Sequence, residues 1–381
     1  NYKRGDGFRP NSEFESVNLF AHFGYQFNKK VKLSSEITSL NYLAQQAGGL
    51  TDEMFEQDPF QSNRSRNWFQ VKWLLYNAKL AYKISEKTNF SLSFFGLNAS
   101  RDALGFRTNR VSQVDLEDTE RDLIKGDYTN FGFEARLVSK YNLWGKNSTF
   151  LIGSKYYNAN NTSQQGAGSA DSDADFNFID FPNYANQSNY TFPNLNMAFF
   201  GENIIYLNEK LSITPGFRFE YIKTKSDGFY KKINLDAAGN VILNEKITDN
   251  QVRERSFLLL GIGASYKANT ALEIYGNVSQ NYRSVTFSDI SIVNPAYVIN
   301  PNIDDEKGYT VDLGVRGNFK NLLSFDVGVF SLFYQDRIGF KQKAQSDGSV
   351  KTERGNVGDA VMYGMESLLD FNLRQLFSDE Y

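Results

Sequence analysis

Apolar and polar residues alternate with a period of two along most of the chain, the signature of β-strands with one apolar face. Across Leu211–Tyr221 one face carries Leu211, Ile213, Pro215, Phe217, Phe219 and Tyr221, and the other carries Ser212, Thr214, Gly216, Arg218 and Glu220. Tyr309–Phe319 sets Tyr309, Val311, Leu313, Val315, Gly317 and Phe319 against Thr310, Asp312, Gly314, Arg316 and Asn318. Phe131–Tyr141 and Val17–Phe27 follow the same scheme. In these strands every charge falls on the polar face. That placement suits a wall with lipid on one side, where a midplane Arg or Lys costs roughly 2–4 kcal/mol. A soluble sandwich also alternates, so the pattern needs a second signal.

Connection lengths supply it. About thirteen strands are predicted from this periodicity, and the connections between them alternate between short and long. Short turns are expected at Asn28–Lys30, Ser85–Thr88, Trp144–Asn147, Asn208–Lys210, Ala268–Thr270 and Lys320–Asn321. Long loops are expected near Ala47–Asn67, Asp102–Thr129, Asn160–Tyr190, Ser226–Val252, Ser284–Glu306 and Ile338–Asn356. Soluble domains rarely carry even one structureless loop above about 15 residues. Tight turns on one side and long loops on the other are the layout of a bacterial outer-membrane barrel, loops outside. The predicted fold is therefore all-β: a transmembrane antiparallel meander β-barrel, with residues 1–381 one incomplete barrel domain. An odd strand count with ends on opposite sides does not close a barrel of the usual even-stranded kind, so further strands are expected.

Composition narrows the chemistry. There is no cysteine and a single histidine, His22, so thiolate and multi-imidazole metal centres are excluded. A Ser-His-Asp hydrolase would have to use His22, which sits in a strand pattern with no nucleophile signal beside it, and no enzymatic function is expected. A net charge of −3 gives no footprint for nucleic acid. The 33 Phe and 22 Tyr suit strands and interfacial girdles. Trp68, Trp73 and Trp144 read as girdle or wall residues. Asp171, Asp173 and Asp175 have the spacing of a calcium loop. However, Phe176 stands where Gly is needed and Pro182 where the bidentate Glu belongs, so a solvated acidic loop is the simpler reading.

Several segments, in order, resemble the TonB-dependent receptor family. Asn356–Glu366 (Asn-Val-Gly-Asp-Ala-Val-Met-Tyr-Gly-Met-Glu) is similar to the family's N-x-G-x-A-x-x-x-G-x-E segment. Asn281–Ser288, with Arg283, resembles its R-x-x-x-F segment. Asn300–Tyr309 resembles N-P-x-L-x-P-E-K, with Asp305 where proline is usual. Gly48–Arg64 looks like the G-G-L-T-x-x-x-F-x-x-D-P-x-x-S-x-R loop of ferric-citrate-type receptors, and Gly5–Arg9 matches an earlier loop of that group. The resemblance implies a barrel of about 22 strands with a plug in its lumen. It also implies a metal chelate held between outer loops and plug, and import driven by TonB with ExbB and ExbD. Plug, TonB box, early strands and last strands have no counterpart among these residues.

An anionic ferric chelate needs cationic donors, and the arginine fork suits carboxylates best. The resemblance assigns that role to Arg64, with Arg66 as neighbour and Gln61 as a polar partner. Arg107 and Arg110 open the next outer loop and are the further candidates. The alternative for each is a solvated loop arginine. Arg283 reads as wall packing against a carboxylate, and Arg136, Glu134, Arg218, Glu220, Asp312 and Arg316 as a salt-bridged lumen wall. The functional expectation is import of a ferric chelate, ferric citrate or a siderophore, across the outer membrane in contact with its lipid, with no cofactor. The alternatives are import of a glycan, peptide or cobalamin, or a passive porin or adhesin barrel. A glycan receptor should carry aromatic platforms at the loop tips, which read mainly as Asn, Gln, Ser and Asp.

Overall fold

The computed structural model describes residues 1–374 except 109, 237, 239, 291–296, 321 and 345–349. It is one fifteen-stranded sheet. In chain order the strands are β1 Tyr2–Gly5, β2 Phe14–Gln26, β3 Val31–Gln45, β4 Trp68–Lys83, β5 Thr88–Gly105, β6 Arg121–Leu143, β7 Lys146–Gly168 and β8 Ser188–Tyr206. Then follow β9 Leu211–Leu235, β10 Val241–Lys267, β11 Leu272–Arg283, β12 Tyr297–Ile299, β13 Glu306–Phe319, β14 Leu323–Ala344 and β15 Val350–Phe371. Two short helices, α1 Asp52–Gln57 and α2 Phe287–Ile290, lie in connections.

Thirteen long strands match the periodicity. The other two, β1 and β12, have four and three residues, too few for alternation to register. Neighbours pair antiparallel in sequence order, a meander, with one departure. β12 leaves that order and adds in parallel to the outer edge of β15, Tyr297 opposite Thr352. Among the described residues the two edges of the sheet do not pair with each other.

The short turns fall where the pattern put them, and repeated side-chain chemistry closes them. Asn28 Oδ1 accepts from the N–H groups of Lys30 and Val31, and Asn208 Oδ1 does the same for Lys210 and Leu211. Asn269 and Ser85 repeat the device. A short polar side chain that caps its own turn fixes a tight reversal without a long loop. Asn321, in the last of these turns, lies outside the described residues.

Four of the expected long loops are shorter than predicted, because the strands continue past the apolar band. Ser226–Val252 is mostly ladder: β9 and β10 stay paired from Tyr266↔Leu211 to Val241↔Leu235. The regions Asp102–Thr129, Asn160–Tyr190 and Ile338–Asn356 likewise hold the loop ends of β5 to β8, β14 and β15. Residues 345–349 of the last, and 291–296 of Ser284–Glu306, lie outside the described residues. Polar residues on both faces hid these extensions, because a strand in water on both sides has no apolar period.

The register shows where the apolar band stops. On the apolar face Leu211 lies opposite Tyr266, Ile213 opposite Ala264, Pro215 opposite Ile262, Phe217 opposite Leu260 and Phe219 opposite Leu258. Next come Tyr221 opposite Ser256 and then the ion pair Lys223–Glu254. The apolar rows cover about 25 Å of tilted wall, the height of an outer-membrane barrel's lipid band. Tyr266 and Tyr221 border it at either end. On β15, Gly364 leaves room for a neighbour: a Cβ there would stand 2.6 Å from Phe330 Cζ. The polar face is laced with charge as expected: Arg136 pairs with Glu134, Arg218 with Glu220 and Arg316 with Glu273. His22 lies on this face too, with Nδ1 3.2 Å from Glu36 Oε1.

Leu313, on the apolar face and exposed, and Thr310, three residues back on the polar face, give the direct test. Leu313→Arg is expected to destabilise the folded barrel in lipid vesicles by about 2–4 kcal/mol, and Thr310→Arg by well under 1. Urea titration of the folded fraction measures both. Equal losses would overturn the assignment of faces.

Candidate functional site

The loop ends of β3 to β6 build a pocket of about 380 Å³ on the polar face of the wall. Arg64, Arg101 and Arg107 line it, with Asn63, Asn67 and Phe106, and among the described residues no carboxylate stands in the lining. Arg101 has the strand phase opposite Leu92 and Phe94, which puts it on the polar face, and its guanidinium lies over the Phe69 ring at 5.4 Å. Arg64 lies over Phe106 at 5.0 Å. Its Nη1 donates to Asn63 O at 2.6 Å and its Nη2 reaches Val111 O at only 3.4 Å, so donor capacity remains. Burial lowers the Arg64 pKa from its ordinary value, partly offset by Asp115; the group stays cationic at neutral pH. A cation held with little water around it binds an anion more strongly than one in bulk solvent.

Local sequence explains the placement of Arg64. Gly48 has φ 75°, and a Cβ there would stand 2.6 Å from Arg64 Cγ. Arg9 then staples the two segments that resemble ferric-citrate-type receptors. Its Nε donates to Gln61 O at 2.8 Å and its Nη2 to Gly48 O at 2.9 Å.

The other expected residues separate. Arg66 is buried and turned away from the pocket. Its guanidinium binds Asp115 through Nε and Nη2, and donates to the backbone carbonyls of Leu116, Glu117, Thr119 and Ala170. These bonds use all of the five donors an arginine has. Beside it Arg121, which the sequence reading missed, is fully buried and donates to Ser169, Arg66 O and Asp173 O. The two arginines tie the connections 106–120 and 169–187 together. Trp68 joins them, donating from Nε1 to Ser172 O at 2.8 Å. The acidic run Asp171–Asp175 thus has a structural use, since Asp173 faces Arg121. Gln61 turns its amide to Met54 O. Arg107 lines the pocket, and its own N–H donates to Asp122 Oδ2 at 3.1 Å. Arg110 stays exposed and outside the lining. Arg101 was the omission. Its strand phase marked it, but it lies one residue before the expected loop.

The three segments of family resemblance meet at the loop ends of β11 to β15. Asp289, fully buried, accepts from Arg283 Nη2 at both carboxylate oxygens and takes further bonds from Arg354. Glu306 accepts from Arg283 at 2.9 Å, which makes the expected partner of Arg283 a carboxylate on the next strand. Asn356 Nδ2 donates to Asp304 O, and its Oδ1 accepts from Asp304 N. Asp305, in the place of the usual proline, accepts from Arg255, from the Tyr282 hydroxyl and from Val285 N. A small apolar core of Val285, Ile290, Ile303 and Ile338 closes the cluster.

A two-faced β wall with an apolar band, a salt-bridged inner surface and an arginine pocket at its loop end defines a transmembrane barrel of the outer-membrane type. The family model "TonB dependent receptor-like, beta-barrel" matches residues 6–379, and the chain belongs to that family of outer-membrane receptors. No curated relative matches it by sequence. Among solved structures it is similar to the ferric citrate transporter FecA in the unliganded form, at 18% identity and TM-score 0.71, over 97% of this chain and 49% of that one. It is also similar to the ferric yersiniabactin uptake receptor FyuA from Yersinia pestis, at 13% identity and TM-score 0.72, over 99% of this chain and 53% of that one. A third is the copper transporter OprC, at 15% identity and TM-score 0.68, over 98% of this chain and 53% of that one. At these identities the likeness is one of fold. The chain spans about half the length of the solved relatives it matches.

Proposed function

We propose that the chain is the barrel wall of an energy-coupled receptor that imports an anionic ferric chelate, citrate or another carboxylate-bearing siderophore, across the outer membrane. One observation carries the reading: three arginines converge on a lumen-side pocket whose lining, among the described residues, holds no carboxylate. Arg64, Arg101 and Arg107 take the ligand's carboxylates by paired N–H···O bonds. Arg66 and Gln61 hold the loops that place Arg64, and Arg110 meets the ligand at the rim. Release inward runs through a plug domain engaged by TonB, with ExbB and ExbD supplying the energy. That the chain's relatives include receptors named for ferric citrate and ferric yersiniabactin supports the ligand class.

Calorimetric titration of the full receptor in detergent with ferric citrate, iron-free citrate and an electrically neutral ferric trihydroxamate tests the proposal. Binding of ferric citrate, weakened by added salt, is the expected result. Heat from the neutral chelate alone would overturn the anionic class. A second reading has one observation behind it. Contrary to the composition of the loop tips, Phe8, Phe55 and Phe60 stand exposed there. Such rings stack on sugar faces, and an oligosaccharide titrated in the same way decides for or against a glycan ligand.

A further inference from the structure

The turn end of the same wall panel holds a second basic pocket, of about 320 Å³. Lys29, Lys30, Lys32, Lys79, Lys83 and Arg136 line it, again with no carboxylate among the described residues of the lining. The register explains the convergence. Lys32 on β3 lies opposite Ala81 on β4, Ala81 opposite Ser91 on β5, and Ser91 opposite Arg136 on β6. These four form one row across the wall, and Lys79 stands in the next row, opposite Ser34 and Ser93. All have the strand phase opposite Leu33, Ile37, Leu74 and Phe94, which places them on the lumen side. Small residues at Ala81, Ser91 and Ser93 leave the space between the cations open. Arg136 is paired with Glu134 and Lys83 with Glu86. Among the described residues no carboxylate lies within ion-pair distance of Lys32 or Lys79, the pairs at this end being Arg136–Glu134 and Lys83–Glu86.

Unmatched cations that face each other repel, and a wall built only for stability would pair them, as this chain does at Arg218–Glu220 and Arg316–Glu273. Cations grouped around open space are an arrangement for a mobile anion. From Ser91 to Arg101, between the two pockets, β5 runs about 34 Å along a tilted strand, roughly the height of the apolar band. We infer that the Lys32–Lys79 pocket is an exit station for the carboxylate-bearing ferric chelate, on the same face of the same strands as the arginine pocket that captures it. The inference rests on the proposed function. It adds a second binding site and a direction of travel along β3 to β6.

The test compares Lys32→Gln/Lys79→Gln with the wild-type full receptor in intact cells, using iron-labelled ferric citrate. Surface binding at equilibrium is expected to stay within about twofold, while the rate of uptake falls about fivefold or more, with Lys32→Arg/Lys79→Arg near wild type. Uptake unchanged in the glutamine variant would overturn the exit station and leave the capture site standing. A parallel fall in binding and uptake would overturn it too, by showing a general loss of structure. Faster entry of a large antibiotic such as vancomycin would overturn it in favour of a plug contact. No wild-type binding of ferric citrate would withdraw citrate as the cargo, and an exit station for it as well, a failure seen in the first arm alone.

Discussion

Arg64→Ala combined with Arg101→Ala is expected to weaken ferric citrate binding by at least about a hundredfold. Each guanidinium that pairs with a carboxylate contributes about 1.5–3 kcal/mol as a charge-assisted bond, and a factor of ten is about 1.4 kcal/mol. Arg64 is the more sheltered of the two, so its loss is expected to be the larger. Arg101→Lys should recover little, because an ammonium neither lies over the Phe69 ring as a plane nor forms a fork. The informative contrast is Arg66→Ala. That guanidinium has no donor left for a ligand, yet it joins Asp115 to four backbone carbonyls. Its removal should therefore loosen connections 106–120 and 169–187, with protease cleavage there as the first sign and weaker binding as a consequence. If Arg66→Ala abolishes binding with the loops still protease-resistant, and Arg64→Ala/Arg101→Ala does not, the pocket has been placed on the wrong side of the wall.

Asp289→Ala should be the most damaging single change outside the lipid band. It leaves Arg283 and Arg354 facing each other without their shared carboxylate, and it strips acceptors from the N–H and hydroxyl of Thr286. Breaking a buried ion pair by removing one partner costs about 3–5 kcal/mol, and partial exposure of Arg283 puts the expected value near 3. The loss is local: faster hydrogen exchange over 297–306, with the barrel's own urea transition nearly unmoved. The same carboxylate sets a pH dependence. Burial pushes the Asp289 pKa up, but the N–H and hydroxyl of Thr286 with Arg354 and Arg283 outweigh it, and the net shift is downward. A depressed folded value means that the stabilisation is complete above about pH 4, the ordinary range of aspartate, and is lost as pH falls through the folded value. Protection over 297–306, taken against the intrinsic exchange rate at each pH, should thus fall on acidification in the native chain, and not in Asp289→Asn. Equal loss of protection in both would show that another group controls this region.

Period two is a local property, and so the sequence by itself determined the wall. Leu211–Tyr221 and Tyr309–Phe319 sort their side chains to two faces whatever they pair with, and the Asn and Ser turns close where their own backbones lie. Thirteen long strands, the apolar band, the side on which His22, Arg136 and Arg316 lie, and the short turns were all legible in that way. The motifs showed the family but not why its residues are spaced so far apart. Only the tertiary structure brought Arg283, Asp289, Glu306 and Arg354 into one cluster, and gave Asp305 its three partners in place of a proline ring. The candidate site divided along the same line. Arg64 and Arg66 are two residues apart in one motif and look alike as sequence. Which of them keeps donors to spare depends on Gly48, Val111, Asp115 and the carbonyls of two distant loops, all contacts between segments that periodicity does not describe. The β9–β10 ribbon and the row of Lys32, Ala81, Ser91 and Arg136 were hidden for the complementary reason. A strand wet on both faces has no apolar period, and neighbours across a sheet are set by register, a property of the pairing between strands.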